Sequence, residues 1–135
     1  MTEFKSSPEN IHKPASNIYQ YLTDFHNFEN LLPEQIINWQ ASPEKCSFTI
    51  KGMADLALVM GKNEPNQKVI YQSTDPSPFD FFLSFNLESL QNSTSVQVIL
   101  SAQLNPMLKM MASRPLQNLV NMLAEKLKQI MEGTV

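Results

Sequence analysis

Residues 105–132, NPMLKMMASRPLQNLVNMLAEKLKQIME, carry the pattern that decides the fold. Leu116, Leu119, Val120, Leu123, Leu127 and Ile130 recur at steps of three and four, while Asn118, Asn121, Glu125, Lys128, Gln129 and Glu132 fall on the opposite side. That spacing predicts one long amphipathic helix with a buried stripe and a wet face. Asn105 is placed to cap its start, Pro106 takes the first helical position, where a missing N–H costs little, and Gly133 supplies the stop. At ~1.5 Å per residue such a helix runs on the order of 40 Å, so its stripe needs an equally long apolar surface beneath it.

The chain ahead of the helix supplies that surface as strands. From Ile36 the apolar period changes from helical to alternating, and proline or glycine clusters punctuate it at the intervals of an antiparallel meander. Ile37, Trp39 and Ala41 alternate with polar neighbours, Ser42-Pro43-Glu44-Lys45 makes a turn, and Cys46, Phe48 and Ile50 alternate again. Leu56, Leu58 and Met60 follow Gly52, with Ala57 and Val59 making the other face apolar as well. Val69, Tyr71 and Ser73 form a short strand before Asp75-Pro76-Ser77-Pro78 breaks it. Phe79, Phe81, Leu83, Phe85 and Leu87 then share a face, as do Val96, Val98, Leu100, Ala102 and Leu104 across the turn at Gln91-Asn92-Ser93; Phe82 is the apolar exception.

At the N-terminus, Phe4 within a polar segment fits an edge strand. Pro14 opens a first helix in which Ile18, Tyr21, Leu22 and Phe25 repeat, and Asp24 caps a second, short helix that carries Phe28, Leu31 and Leu32 and ends at Pro33. The order β, α, α, several antiparallel strands, long α gives an α+β fold whose sheet curves around the last helix. Residues 14–24, PASNIYQYLTD, with Phe28, Leu32-Pro33 and Leu104-Asn105-Pro106, resemble the START-like, polyketide cyclase-like (SRPBCC, Bet v 1-like) superfamily. The resemblance implies the helix-grip fold over one domain, residues 1–135. It also implies a cavity between sheet and long helix, used by relatives for lipid, sterol or hormone carriage or for aromatase/cyclase chemistry.

Composition narrows the choice. Hydrophobic content of 42% and charged content of 17% fit a globular chain, and a net charge of -3 with scattered Lys and Arg disfavours nucleic acid. Cys46 is the only cysteine, so no internal disulfide or thiolate cluster forms. Met1–Pro8 lacks a signal-peptide pattern, no run reaches membrane-spanning length, and the expected location is the cytoplasm without stable membrane insertion.

Proton-transfer chemistry needs titratable groups within reach of substrate, and the inward strand faces are almost wholly Phe, Leu, Val and Ala. Asp55, beside Gly52, is the best-placed acid, yet such a carboxylate is usually solvated. His12 and His26 form no metal-binding pair, Cys46 reads as a core thiol, and the isolated Gly52, Gly61 and Gly133 make no phosphate loop. No catalytic residue, metal or cofactor is expected. The expected function is binding or carriage of a small hydrophobic ligand, a lipid, isoprenoid quinone or aromatic metabolite, with Met60, Tyr71, Phe81, Leu83, Phe85, Met111, Leu119 and Leu123 as lining, and Tyr71 or Tyr19 as polar anchor. A polyketide cyclase or dehydratase, and a structural or interaction module with a filled core, are the alternatives.

The eight methionines add a further expectation. Met107, Met110 and Met111 point away from the buried stripe, ahead of Pro115, which removes a hydrogen bond to Met111. These methionines are expected to be partly exposed and to line a ligand entrance or join a homodimer.

Overall fold

The predicted terminal helix is α3, Pro106–Met131, and it runs unbroken through Pro115. Asn105 Oδ1 accepts the Leu108 N–H at 2.8 Å, and Gly133 at φ +71° takes the left-handed stop. The computed structural model describes residues 1–133. Ala112, Leu116, Leu119, Val120, Leu123, Ala124 and Leu127 are buried, which is the stripe read from the sequence with two alanines added and with its last member, Ile130, only half-buried.

Beneath α3 lies one antiparallel sheet of eight strands. The strands are β1 (Thr2–Lys5), β2 (Glu9–Ile11), β3 (Ile36–Ala41), β4 (Lys45–Ile50), β5 (Ala54–Met60), β6 (Lys68–Thr74), β7 (Phe81–Ser89) and β8 (Thr94–Ala102). Their order is β1-β8-β7-β6-β5-β4-β3, with β2 also pairing β8. Helices α1 (Ala15–Leu22) and α2 (Phe25–Phe28) and a 3-10 turn at Glu29–Leu31 lie between β2 and β3. This is the helix-grip α+β arrangement, with one addition: the short helices follow two strands instead of one. The extra strand exists because Ser6 interrupts the N-terminal ladder and repairs it at once. Its N–H donates to the Val98 carbonyl and its Oγ accepts the Val98 N–H, each at 2.9 Å, so the chain stays on β8 through to Ile11.

Alternation decides which side chains meet the helices. Phe81, Leu83, Phe85 and Leu87 on β7 and Val96, Val98, Leu100 and Ala102 on β8 all face the core, and Phe82 points to solvent as its phase requires. Phe4, the inward aromatic of β1, is buried as expected. α3 packs on β8, β1, β2 and the 3-10 turn, and α1 covers β6 and β7. Asp24 caps α2 as its spacing suggested, its Oδ1 accepting the His26 N–H at 2.9 Å. Ala57, on the outer face, is buried too, because the loop after β6 folds over it and Ser77 Oγ accepts its N–H at 3.2 Å.

One strand departs from its expected phase. Asn38 adopts φ +58°, the β3–β4 register shifts between Ile37 and Gln40, and the extra residue bends β3. Ile37, expected on the inward face with Trp39 and Ala41, is therefore 41% exposed, while Ile36 turns inward beside Ile50. Asparagine tolerates this backbone better than most residues, and its Nδ2 donates to Thr49 Oγ1 at 3.2 Å.

Candidate functional site

Because α3 leans toward the β8, β1 and β2 side, a cleft of about 310 Å³ stays open between its middle and the far end of β3 and β4. Ile36 and Ile50, register partners at the sheet corner, form its floor with Pro115 and Leu119; Gln35, Lys51, Arg114 and Asn118 form its rim. The corner is held by backbone: the Lys51 N–H donates to the Gln35 carbonyl at 2.8 Å, and Gly52 at φ +81° makes the turn that follows. A second groove of about 420 Å³, between Leu31-Leu32-Pro33 and Met122-Lys126, shares Gln35 with the first. Gln35 divides the two, its Nε2 lying 3.6 Å from the Met122 sulfur.

The helix brings a second, methionine-rich line to this side. Met107, Met110, Met111, Arg114, Pro115, Asn118 and Met122 follow steps of three and four away from the buried stripe. Met107, Met110 and Met111 are 72%, 87% and 57% exposed, more than the partial exposure expected of them.

The residues expected to line a ligand site divide into two sets. Tyr71, Phe81, Leu83, Phe85 and Leu123 are fully buried in the core, with Leu119 at its edge reaching the cleft. Met60 is half-buried and Met111 exposed. Around Tyr71 the space is occupied by rings: Phe25, Phe28 and Phe85 have centroids 4.6, 5.0 and 5.5 Å from it. The Tyr71 hydroxyl donates to the Leu22 carbonyl, fastening the end of α1 to β6, and full burial raises its pKa well above the ordinary 10.0. Tyr19 packs half-buried against the core. Ile36, Ile50, Lys51, Arg114 and Pro115 were missed as site residues by sequence reasoning, and only the inward alternation of Ile50 with Cys46 and Phe48 left a trace in the pattern.

Asp55, His12 and His26, singled out in the sequence, lie outside the cleft and are engaged elsewhere. Asp55 is exposed and accepts from Thr49 Oγ1 at 2.6 Å. His12 Nδ1 lies 2.9 Å from Glu132, and His26 Nδ1 lies 3.3 Å from Asp24. Hydrogen bonds from His12 hold the Glu132 carboxyl below the usual range. Among the described residues no group of three His, Cys, Asp or Glu is placed to hold a metal ion.

Burial lifts the Cys46 thiol from 9.0 to about 12, against a smaller downward pull from a backbone hydrogen bond to Leu58. Between pH 9 and about 12 an unfolded chain sheds a proton that the folded chain keeps, so stability falls as pH rises through that window. Tyr71 acts in the same direction at higher pH. Cys46→Ala should therefore lose stability less steeply than wild type between pH 8.5 and 10.5 in urea melts, where the thiol alone separates the two proteins. Parallel curves would show that the thiol titrates freely in the fold.

The arrangement of a long helix held in a curved antiparallel sheet recurs in solved structures. A START superfamily protein from Mycobacterium smegmatis matches with a TM-score of 0.66 at 19% identity, over 95% of this chain and 98% of that one. The fold is START-like. The Aha1 dimer from Colwellia psychrerythraea matches this START-like fold with a TM-score of 0.69 at 22% identity, over 99% of this chain and 98% of that one. The KanY protein matches it with a TM-score of 0.80 at 12% identity, over 98% of this chain and 100% of that one. No family model and no curated protein matches the sequence. Among the described residues no helix is long and apolar enough to cross a membrane.

Proposed function

We propose that the protein binds a small hydrophobic molecule, a lipid, isoprenoid quinone or aromatic metabolite, at the mouth between α3 and the β3–β4 corner. The observation that carries this reading is a cleft with an apolar floor, Ile36, Ile50, Pro115 and Leu119, of which Leu119 also belongs to the buried core. Its volume of about 310 Å³ lies at the lower end of the range for small-molecule sites. Met111 and Met122 flank it along the helix, and thioether chains adapt to ligands of irregular shape. A ligand reaching past Leu119 toward Tyr71, Phe81, Leu83, Phe85, Leu123 and Met60 has to move the rings that fill that space. The mouth is thus the first binding position and the deeper residues a second, reached on rearrangement. Native mass spectrometry of freshly purified protein, followed by denaturing extraction, tests the proposal: an apolar compound should leave with the protein, and a clean apo mass from several expression hosts would overturn it.

A second reading rests on Met107, Met110 and Met111, whose exposed side chains suit a homodimer interface as well as an entrance. The Aha1 from Colwellia psychrerythraea, similar in fold, is a dimer. The double variant Met107→Gln, Met110→Gln keeps chain length and helix propensity while removing apolar contact. Its sedimentation mass should fall from dimer to monomer if the methionines join two copies. Its uptake of a hydrophobic probe should slow several-fold if they form the entrance, and a variant unchanged in both measurements would exclude both roles.

A further inference from the structure

Lys51 and Arg114 approach the cleft from opposite walls, one at the end of β4 and the other on α3. Neither takes part in an ion pair among the described residues, where the pairs are Lys5–Glu3, His12–Glu132 and His26–Asp24. The cleft has no acidic residue in its lining; its remaining polar groups are the side-chain amides of Gln35 and Asn118, both able to donate. The acids nearest in sequence look elsewhere: Glu34 and Glu125 line the neighbouring groove, and Asp55 is engaged by Thr49. Between Glu88 and Glu125 the chain carries no acid at all, and its only charges are Lys109 and Arg114, in a protein of net charge -3. An apolar floor has thus been paired with two unneutralised cations and two amides.

Resting on the hydrophobic-ligand reading above, we propose that the cleft takes a single-chain amphiphile with an anionic head, a carboxylate or a phosphate monoester. Arg114 and Lys51 hold the head, and Ile36, Ile50, Pro115 and Leu119 receive the chain. A guanidinium offers two parallel N–H donors that match a carboxylate or phosphate, while the Lys51 ammonium adds a point charge from the other wall. Gln35 and Asn118 supply neutral donors beside them. The tail leaves the cleft along the methionine line toward Met111 or past Gln35 toward Met122.

The experiment titrates ¹⁵N-labelled protein with decanoate, decyl phosphate, decanol and decyltrimethylammonium, each below its aggregation threshold, following amide shifts of Ile36, Ile50 and Leu119. Decanoate or decyl phosphate should bind about tenfold or more tightly than decanol, the difference of one good charge-assisted contact. The cation should bind weakest, and the stronger of the two anions identifies the head. In the double variant Lys51→Gln, Arg114→Gln, both sites being exposed and outside the core, the anion preference should vanish while decanol affinity stays within about twofold. Equal binding of decanol and the anions, or a preference that survives the double variant, overturns the anionic-head proposal and leaves the hydrophobic-ligand reading standing. Failure of all four compounds to shift the cleft residues overturns both.

Discussion

Leu123→Asp is expected to leave the protein largely unfolded at pH 7. Leu123 is fully buried on α3, in the cluster that joins the helix to the sheet. Removing a leucine side chain from such a site costs about 2–5 kcal/mol, and an unpartnered carboxylate in its place adds several kcal/mol more. The sum is comparable with the whole stability of an ordinary domain, about 5–15 kcal/mol. Leu119→Asp should cost less, because Leu119 borders the cleft and a carboxylate there can turn toward Arg114 and Lys51. Asn121→Asp should change little, since Asn121 is only half-buried and an aspartate Oδ1 still accepts from Gln117 Nε2, the contact Asn121 makes at 3.2 Å. Urea melts that place the three variants in any other order would mean that α3 does not dock by this stripe.

That stripe was legible because a helix of seven turns repeats its burial rule often enough to be unmistakable, and the β7–β8 hairpin was legible for the same reason at period two. Where the pattern is short or locally degenerate, legibility fails. β2 offers three residues and a single buried one, Ile11, so no period exists to be read. In β3, Ile36 and Ile37 are both apolar, and which of them faces inward depends on the positive φ of Asn38, a position where no glycine announces a bulge. The cleft was harder still. Lys51 and Arg114 stand far apart in the chain and face one cleft only because α3 crosses beside the β3–β4 corner without closing onto it, a tertiary outcome with no local signature. The buried part of the expected lining was readable as an apolar face. Whether that face meets a ligand or the rings of α2 depends on how deeply Phe25 and Phe28 reach, and periodicity carries no information on depth.

Phe28 decides that question, and Phe28→Ala is the second substitution expected to have a large effect. Its ring is buried and meets Trp39 of β3, Tyr71 of β6 and Phe85 of β7, with centroids at 5.9, 5.0 and 6.5 Å, besides Phe25 at 6.2 Å. One side chain from a four-residue helix thus touches three strands, two of them through residues proposed to meet ligand. Truncation to alanine should cost about 3–5 kcal/mol, from lost transfer energy, lost edge-to-face contacts and the void left behind. Phe79→Ala makes a fair comparison: Phe79 is 8% exposed and has a single ring neighbour, Phe81, at 5.5 Å, so its loss should lie below that range. The void made by Phe28→Ala would be lined by Phe25, Trp39, Tyr71 and Phe85, and an apolar cavity of that kind stays dry and accepts a benzene-sized guest. Benzene or indole should therefore raise the melting temperature of Phe28→Ala by several degrees while leaving Phe79→Ala unmoved. A wild type that responds as strongly as Phe28→Ala would show that the rings already part to admit a guest, and that the deep residues, not the mouth, are the resting position of the ligand.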